Sequence, residues 1–474
     1  MVAQQRIPMQ TFAVTSLQKN RNRPRVWLQG SRLAAAGFLP AQRYTVEVDT
    51  HAKRLTLRLT ASGDRGVVAK SRGEKVEPVI DLTSANQLSM FAGMQSLRVI
   101  FDHGVVHILP LATEARKAER IERVKAKLAT GAPLTVGSVS TGVGALMLAT
   151  HEGLKDAGIA SQLAYAVEVE ADYIEQCERA NPAWSKNAVM VNAPLQEIAF
   201  DAWAVRRLPQ CDIIEAGLPC TAASVAGRAK KGLSMPEDDP KVGHLVVGVL
   251  AIIAATNPIA VTLENVVPWM SSASFAILRN QLTEWGYSVH AEVLRGEDFN
   301  CLEHRNRMAM VAVTEGIEFS MASIERPESV RRRLAEVLDD VPTDSPLYSQ
   351  MVGLKAKQDR DRESGKNFMM QIYTADSDHV GTMTRGYAKV RSTDPKLQHP
   401  TNPDLLRQFT ANEHARLKDC PPALIAGMSN TKAHEVLGQS VLLKPFRALA
   451  KALGSALKHW AAPAAPASFT LLAA

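Results

Sequence analysis

The sequence predicts an α/β protein with a doubly wound sheet, preceded by a smaller β-rich module. From Pro133 onward, apolar strand-like runs alternate with helical segments, whereas residues 1–112 read mainly as strands and hairpins. Glycine-containing or polar motifs follow directly after several of the later strands. The 474 residues are enough for about two to four domains.

The composition indicates a globular protein and excludes several classes. Hydrophobic residues make up 46% and charged residues 22% of the chain, which is ordinary for a soluble protein. No run approaches a membrane span, and Met1–Gln10 lacks a signal-peptide core. The five cysteines are scattered without a CxxC pair, which argues against a metal site or a disulfide framework and favours a reducing cytoplasm. The net charge of +7 is compatible with a polyanionic partner.

Residues 1–112 are the predicted β-rich module. It contains a basic cluster, Lys19, Arg21, Arg23 and Arg25. Its alternating or apolar stretches are Val26–Leu28, Tyr44–Val48, Arg54–Leu59 and a hairpin over Leu97–Leu109 that turns at Asp102-His103-Gly104. The stretch from Arg25 to Leu59 resembles the SymE-like branch of the AbrB-type swapped-hairpin folds. That resemblance implies a module that dimerises, giving a homodimer, and that often binds DNA.

A charged helix is predicted from Thr113 to Thr130, because Thr113 can cap it and Gly131 can stop it. We interpret residues 113–132 as a solvated linker helix; a dimerisation helix is the alternative.

The catalytic domain is predicted over residues 133–314. Its candidate strands are Leu134–Val139, Leu163–Val169, Ala188–Val191, Asp212–Ala216, Ile259–Leu263, Tyr287–Val293 and Met308–Val313. In doubly wound sheets, ligands bind at the carboxyl ends of the strands. Motifs that directly follow these strands should therefore converge on one rim.

The rest of the chain divides into three segments that differ in hydrophobic pattern and composition. Residues 315–385 are polar and irregular, with basic residues close together at Lys355, Lys357, Arg360, Arg362 and Lys366. The α/β pattern resumes over 386–460 and closes with a helix at Val441–His459, and residues 461–474 are an Ala- and Pro-rich, flexible tail.

Four motifs carry chemistry. Ser140-Thr141-Gly142-Val143-Gly144 joins a strand to a helix, where glycines let the backbone approach a ligand. Pro219-Cys220, Glu264-Asn265-Val266 and Arg305-Asn306-Arg307 follow in that order. Arg305 and Arg307 can face the same side, because side chains alternate along a strand. Taken singly, each has a plain structural reading, such as a buried inert cysteine or a salt-bridged glutamate.

In this order and spacing, residues 134–459 resemble the DNA cytosine-5 methyltransferase family. The resemblance implies a Rossmann-like S-adenosylmethionine-dependent methyltransferase domain, with residues 315–385 as a smaller target-recognition region. It implies that double-stranded DNA is the partner, and that a flipped-out cytosine accepts a methyl group at carbon 5. It also makes part of a restriction-modification system a natural setting.

The resemblance assigns roles to individual residues. Cys220 attacks carbon 6 of the ring as a thiolate. Glu264 hydrogen-bonds the ring N3, which requires a carboxyl with a raised pKa. Of Arg305 and Arg307, one holds the base carbonyl and the other supports the site. The implied cofactor-binding residues are Ser140, Thr141, Gly142, Val143, Gly144, Glu168, Val169, Pro219, Gln439 and Ser440.

The chain departs from the family pattern at several positions. Ser138, Ser140 and Ala145 stand where the family has Asp, Phe and Gly, and Thr221 and Glu303 each replace a Gln. The Asp expected near Asn192 is missing, and Asn192 itself is a substitute. Two alternatives therefore stay open: an RNA cytosine-5 methyltransferase, and a catalytically weak DNA-binding regulator built on the same fold.

Overall fold

The structure, a computed structural model, describes residues 11–21, 23–72, 75–219, 231–365 and 369–462. The chain divides into two compact units, Met1–Glu119 and Arg120–Ala474. The predicted tail and Cys220 fall largely or wholly outside the described residues.

The described part of the first unit contains ten strands and two short α-helices. The strands are β1 (Thr11–Ser16), β2 (Gln18–Asn20), β3 (Arg23–Gln29), β4 (Arg43–Asp49), β5 (Arg54–Leu59), β6 (Arg65–Gly66), β7 (Val68–Arg72), β8 (Lys75–Leu82), β9 (Ser96–Asp102) and β10 (Val105–Pro110). The helices are α1 (Ser31–Ala35) and α2 (Ala85–Leu88). The strands predicted in this module are all present, and the β9–β10 hairpin turns at His103-Gly104, with Gly104 at φ 73°.

The order of elements in this unit repeats. Strands β1 to β5 with α1, and strands β6 to β10 with α2, each follow the pattern strand, strand, strand, helix, strand, strand. The six-stranded sheet has the order β1-β9-β10-β5-β4-β6 and the four-stranded sheet the order β2-β3-β8-β7. The counterpart of β1 is β6, that of β2 is β7, and so on through the two halves. When every strand is replaced by its counterpart, each sheet has the same strand order read from the opposite edge. The unit therefore has an internal pseudo-twofold arrangement, which the sequence pattern did not disclose.

Each half is completed by the other. Strand β1 of the first half pairs with β9 of the second, and β6 of the second pairs with β4 of the first. The two halves also meet at β3 with β8 and at β5 with β10. The two halves share one hydrophobic core, to which the first half contributes Val26 and Leu57 and the second half Ile80 and Val106. These pairings form within one chain the contacts that two copies of a half would make with each other.

Helix α3 (Ala112–Thr130) crosses the division between the units. Its second part is not solvated: Arg120 and Val124 are buried. Arg120 donates to Thr314 Oγ1 at 2.8 Å and to the Trp285 carbonyl at 2.7 Å. Its guanidinium also lies 4.0 Å from the centre of the Tyr287 ring. The interpretation of α3 as a solvated linker is therefore wrong for this part, which is built into the second unit.

A seven-stranded sheet forms the body of the second unit. Its strands are β11 (Leu134–Val139), β12 (Ser161–Glu168), β13 (Val189–Asn192), β14 (Ile213–Gly217), β15 (Ala260–Asn265), β16 (Tyr287–Leu294) and β18 (Arg307–Thr314). The order is β13-β12-β11-β14-β15-β18-β16, and only β18 runs antiparallel to its neighbours. All seven predicted strands are confirmed within about two residues, because long apolar runs buried on both faces are unambiguous.

Helices cover both faces of this sheet. In the described part of the second unit, the helices after α3 are α4 (Ala145–Asp156), α5 (Ala171–Ala180), α6 (Leu195–Phe200), α7 (Ala202–Val205), α8 (Leu245–Thr256), α9 (Ala273–Glu284), α10 (Val352–Glu363), α11 (Ala411–Leu417), α12 (Asn430–Gln439) and α13 (Leu443–Ala461). Helices α4 and α13 share one core with the sheet, and α6, α8 and α9 share the core on the opposite face. The result is the doubly wound fold predicted from the sequence.

Residues 315–385, the predicted target-recognition region, do not coincide with one separate hydrophobic core. Ile317, Phe319 and Ile324 still pack in the core of the body. A separate core includes Leu334, Val380, Leu397 and Phe409. Its strands are β17 (Glu303–His304), β20 (Val380–Gly381) and a three-stranded sheet of β19 (Ile372–Tyr373), β21 (Lys396–Gln398) and β22 (Leu406–Arg407). This separate core thus extends past residue 385. The sequence did not predict that limit, because short polar strands have no clear hydrophobic pattern.

Replacing Arg120 by Met should destabilise the second unit by about 3 kcal/mol, because buried acceptors lose their donor. Urea unfolding of the full chain measures this. Lys125→Met, on an exposed position of the same helix, is the control and should change little. Equal stability of Arg120→Met and the wild type would contradict the assignment of α3 to the core.

Candidate active site

Three chain segments meet at the carboxyl end of the sheet. A Cβ atom placed on Gly217 would lie 3.8 Å from the Ser140 carbonyl oxygen and 4.0 Å from Glu264 Oε2. Ser140 begins the loop after β11, Gly217 ends β14 and Glu264 lies at the end of β15. The convergence expected from the motif positions is therefore present, and the absent side chain of Gly217 keeps this space open.

The predicted nucleophile, Cys220, comes three residues after this glycine. Leu218 is buried, its carbonyl accepts from Asn265 Nδ2 at 3.4 Å, and Pro219 is exposed. Cys220, like the rest of residues 220–230, lies outside the described residues. The structure describes the chain up to Pro219. The hydrogen bond from Asn265 to Leu218 holds this point beside the residue that follows Glu264.

Glu264 is a buried carboxyl with one close cation. The residue is 8% exposed, and its Oε1 lies 2.9 Å from Arg307 Nε. Burial raises the pKa of Glu264, and the charges of Arg307 and Arg305 oppose that rise without cancelling it. The carboxyl therefore keeps its proton to a higher pH than an ordinary glutamate, as hydrogen bonding to a ring nitrogen requires.

The two predicted arginines have different surroundings. Arg305 is buried and donates to the carbonyls of Gly438 at 3.1 Å and Met383 at 3.4 Å. Arg307 contacts Glu264 and retains partial exposure. Arg305 thus ties the segment before β18 to the end of α12 and to Met383, and Arg307 is the one that pairs with the Glu264 carboxyl.

A buried ion pair stands beside these arginines. Glu303 and Lys418 are both fully buried, and Lys418 Nζ lies 2.7 Å from Glu303 Oε2. Glu303 Oε1 also accepts from the Met383 backbone at 3.2 Å. Burial lowers the pKa of Lys418 to about 8, partly offset by Glu303. Sequence reasoning noted Glu303 but missed Lys418, because nothing local connects residues 115 positions apart.

The loop after β11 is fixed to the end of β12 by Glu168. This carboxylate accepts from the backbone nitrogens of Gly142 at 2.8 Å, Val169 at 2.9 Å and Glu170 at 3.1 Å. Ser140 and Gly142 both adopt positive φ, at 56° and 57°. The strained turn and the carboxylate that bridges it form a concave edge made mostly of backbone groups.

The remaining predicted cofactor residues gather around this edge. Val143 packs with Tyr173, Val436 and Leu437 in one cluster. A side chain on Gly144 would overlap the Asn181 amide, so only glycine fits there.

Helix α12 reaches the same place through its end. Gln439 Nε2 donates to Tyr173 Oη at 3.4 Å, and Ser440 Oγ donates back to the Val436 carbonyl at 2.8 Å. Gln439 is exposed and Ser440 half-buried. The chain's two distant cofactor motifs are therefore neighbours, with Tyr173 between them as a contact that the sequence did not single out.

These residues fit a bound nucleoside sulfonium. Carboxylate oxygens each accept more than one hydrogen bond, so Glu168 Oε2, with a single backbone donor, can also accept a ribose hydroxyl. The position of the missing Cβ of Gly142 has no atom within 4 Å, and Val169 is 56% exposed. Asn192 braces the edge by donating to the carbonyls of Glu168 and Val169 at 2.9 and 3.0 Å.

Two negative findings bound the site. Among the described residues, no cluster of His, Cys, Asp and Glu could hold a metal ion. None of the helices in the described part of the chain is long and apolar enough to cross a membrane.

Comparison with solved structures shows which proteins share this fold. The Dnmt2 methyltransferase of S. pombe superposes with a TM-score of 0.53 at 20% identity, covering 67% of this chain and 96% of that one. A mutant of Spodoptera frugiperda DNMT2 gives 0.51 at 15% identity, covering 68% and 99%. At these identities the likeness shows a common fold.

Sequence comparison gives the family. The family model described as C-5 cytosine-specific DNA methylase matches residues 142–455, more than half of the chain. The protein belongs to this family.

Named relatives are similar over about half of the chain. Type II methyltransferase M1.ScrFI of Lactococcus lactis subsp. cremoris is 29% identical over 254 residues, which are 52% of this chain and 62% of that protein. M.NlaX of Neisseria lactamica is 28% identical, covering 53% and 79%. M.SsoII of Shigella sonnei is 26% identical, covering 53% and 65%. The chain thus spans less than two thirds of the first and third relatives.

Replacing Arg307 by Ala should lower the methyl-transfer rate by about 100-fold, a cost typical of losing one charged group at a reacting centre. Since Arg307 lowers the pKa of Glu264, its removal should raise that pKa further. Rates measured against pH under saturating methyl donor test both effects. Arg326→Ala removes a surface arginine paired with Glu292 and should leave the rate unchanged; an unchanged rate in Arg307→Ala would count against its placement at the centre.

The Glu303–Lys418 pair predicts strong coupling in unfolding experiments. Glu303→Gln or Lys418→Met alone should cost about 3–5 kcal/mol, because each removes the closest charged partner of a buried charge. The double variant should recover most of that loss. Additive losses in the double-mutant cycle would contradict direct pairing.

Proposed function

We propose that the protein transfers a methyl group from S-adenosylmethionine to carbon 5 of a cytosine in double-stranded DNA. The observation that carries this proposal is the buried carboxyl of Glu264, paired with Arg307 and adjacent to Gly217. From Gly217 the chain leads through Pro219 to Cys220. An acid with a raised pKa beside the start of a cysteine-bearing segment suits addition to a pyrimidine ring.

The chain's own residues account for the covalent steps. The Cys220 thiolate forms a bond to carbon 6, and the ring electrons move towards carbon 5 and N3. Glu264 hydrogen-bonds N3 and stabilises the charge that collects there. Arg307 holds Glu264 in place and can reach the base carbonyl.

S-adenosylmethionine, when bound, would supply an electrophilic methyl group for carbon 5, and its sulfur would keep the electron pair of the broken bond as a neutral thioether. A base, which we assign to water, then removes the carbon-5 proton. The electron pair left behind restores the double bond, and Cys220 leaves as a thiolate. Glu168, Gly142, Gln439 and Ser440 are the residues that would hold the donor.

The cytosine cannot react inside a base stack, so the target must be flipped out of the duplex. We assign base recognition to the region with its own core around Leu334 and Phe409. Helix α10 in this region has no buried residue, and its Arg360 and Arg362 are exposed. Lys355 and Lys357 are instead engaged with Asp404 and Asp361. An exposed helix that carries arginines suits a DNA groove.

The first unit contributes to DNA binding in this proposal. Its first half, residues 11–61, has nine Lys and Arg against two Asp and Glu. On strand β3, Trp27 lies between the Arg25 guanidinium at 4.3 Å and Lys70 Nζ at 5.2 Å. Positive charge on an exposed surface suits phosphate contact. A homodimer through this unit stays a prediction; the pairing of its two halves completes both sheets within one chain.

A labelled methyl donor tests the substrate and the activity together. We expect label from S-adenosylmethionine on duplex DNA, recovered as 5-methyldeoxycytidine, and none with Cys220→Ala. Label on RNA alone would replace DNA by RNA as the substrate. DNA binding without label on either DNA or RNA would favour the regulator alternative. The relatives are named Type II methyltransferases, and the same experiment in cells can ask whether a restriction nuclease is paired with this protein.

A further inference from the structure

A two-stranded ribbon extends past the four-stranded sheet of the first unit. Strand β3 pairs with the central strand β8 only over residues 26–29, and it pairs with the edge strand β2 over residues 23–25. Among the described residues, the part of β3 that pairs with β2 therefore has no second strand beside it. We call residues 18–25 the first ribbon.

The second half of the unit contains an equivalent ribbon. Gln18 pairs with Arg25 at the open end of the first ribbon, and Lys70 pairs with Glu77 at the same place in the second half. In both halves, two residues separate the paired strands. The internal twofold arrangement thus gives the unit two ribbons of equal length and register, and residues 70–77 are the second ribbon.

The two ribbons differ in charge. The first contains four basic and no acidic residues, whereas the second contains three basic and two acidic residues. Lys19, Arg21 and Arg23 of the first ribbon are all exposed. At the open end of the second ribbon, Lys70 pairs across the strands with Glu77, a residue of opposite charge. The concentrated positive charge therefore belongs to the first ribbon.

The base of the first ribbon is fixed to the rest of the unit. The next residues along β3 include Val26 and Leu28, which are buried in the core that the two halves share. Arg25 donates to both carboxylate oxygens of Asp81 on β8, at 2.8 and 2.9 Å. Because the base is held in this way, the ribbon can meet a ligand with little loss of conformational freedom.

Shape and charge together favour duplex DNA as this ligand. The major groove of B-form DNA admits a two-stranded β-ribbon, whereas the major groove of A-form RNA is deep and narrow. Arg23 and Arg25 lie on one face of the ribbon and Lys19 on the other, because side chains alternate along a strand. Arg21 comes between the strands, at the tip. A ribbon in the groove would thus present cations to the phosphates on both sides.

We propose that the first ribbon binds duplex DNA in the major groove and that the second ribbon takes no part in this contact. The inference rests on the proposed function for duplex DNA as the substrate. A twofold-symmetric protein presents the same surface to two inverted half-sites. With one cationic ribbon, this unit needs a single half-site, so one chain can bind a sequence without an inverted repeat.

Arg23→Gln and Lys75→Gln form a matched pair of variants. The internal twofold relates the two positions, both side chains are exposed, and each substitution removes one positive charge. Binding of the full chain to a short DNA duplex is measured over a range of salt concentrations. Arg23→Gln should weaken binding about five-fold at about 0.15 M salt and lower the slope of log K against log salt by about one, as loss of one phosphate contact does. Lys75→Gln should match the wild type in both quantities.

A double variant enlarges the effect without touching a buried residue. Arg21→Gln combined with Arg23→Gln should weaken binding about 30-fold at the same salt concentration and lower the slope by about two. Both positions are exposed, so the fold should remain intact, and urea unfolding of the full chain checks this.

The possible results separate the ribbon from the reaction. Equal losses in Arg23→Gln and Lys75→Gln would show that both ribbons contact DNA, and no loss in either would show that the first ribbon does not; each result overturns the proposal. An equal loss on an RNA duplex would overturn the assignment to the major groove of DNA. If the wild type transfers no labelled methyl group to DNA, the proposed function fails, whereas a loss of DNA affinity confined to Arg23→Gln would still support the ribbon.

Discussion

The ion pair between Glu264 and Arg307 is the interaction on which the site depends. Moving a carboxylate and a guanidinium out of water costs free energy. The attraction between them offsets this cost only if both are held in good geometry. The sheet provides that geometry, since Glu264 lies on β15 and Arg307 begins the adjacent strand β18. The carboxyl can then have a raised pKa without losing its position. In the proposed reaction, that combination of proton and position is what the ring nitrogen needs.

Other buried charges brace the same rim. Arg305 binds the segment before β18 to the end of α12 and to Met383. Two residues earlier in the chain, Glu303 pairs with Lys418. On the opposite side of the rim, Glu168 binds the loop after β11. Each of these groups has at least one partner far away in the sequence. The rim is thus assembled by several long-range polar contacts laid over an apolar sheet, and it forms only when the whole unit has folded.

Much of this could be predicted from the sequence, for reasons that are physical. The runs that became β11, β14 and β15 are apolar on both faces, and only a covered sheet accommodates them. Strand ends then fixed which motifs would meet, and Ser140, Gly217 and Glu264 do meet. The need for a raised pKa at Glu264 followed from its expected chemistry, and the direction is confirmed.

What escaped prediction involves contacts that local patterns do not encode. The sequence does not say that Lys418 answers Glu303, or that Arg305 is buried while Arg307 is not. Helix α3 looked solvated because it is rich in charge, yet Arg120 is enclosed by carbonyls and an aromatic ring. The pseudo-twofold first unit was missed because its halves share a strand order rather than an obvious residue pattern.

Covalent trapping tests the central claim most directly. Duplex DNA with 5-fluorocytosine at the target should leave the protein joined to DNA after denaturation, because fluorine at carbon 5 cannot depart as a proton does. Mass spectrometry of the adduct should place the bond on Cys220, and the adduct should require the methyl donor for its methylated form. Turnover on ordinary DNA without any such adduct, or an adduct on another residue, would contradict the account.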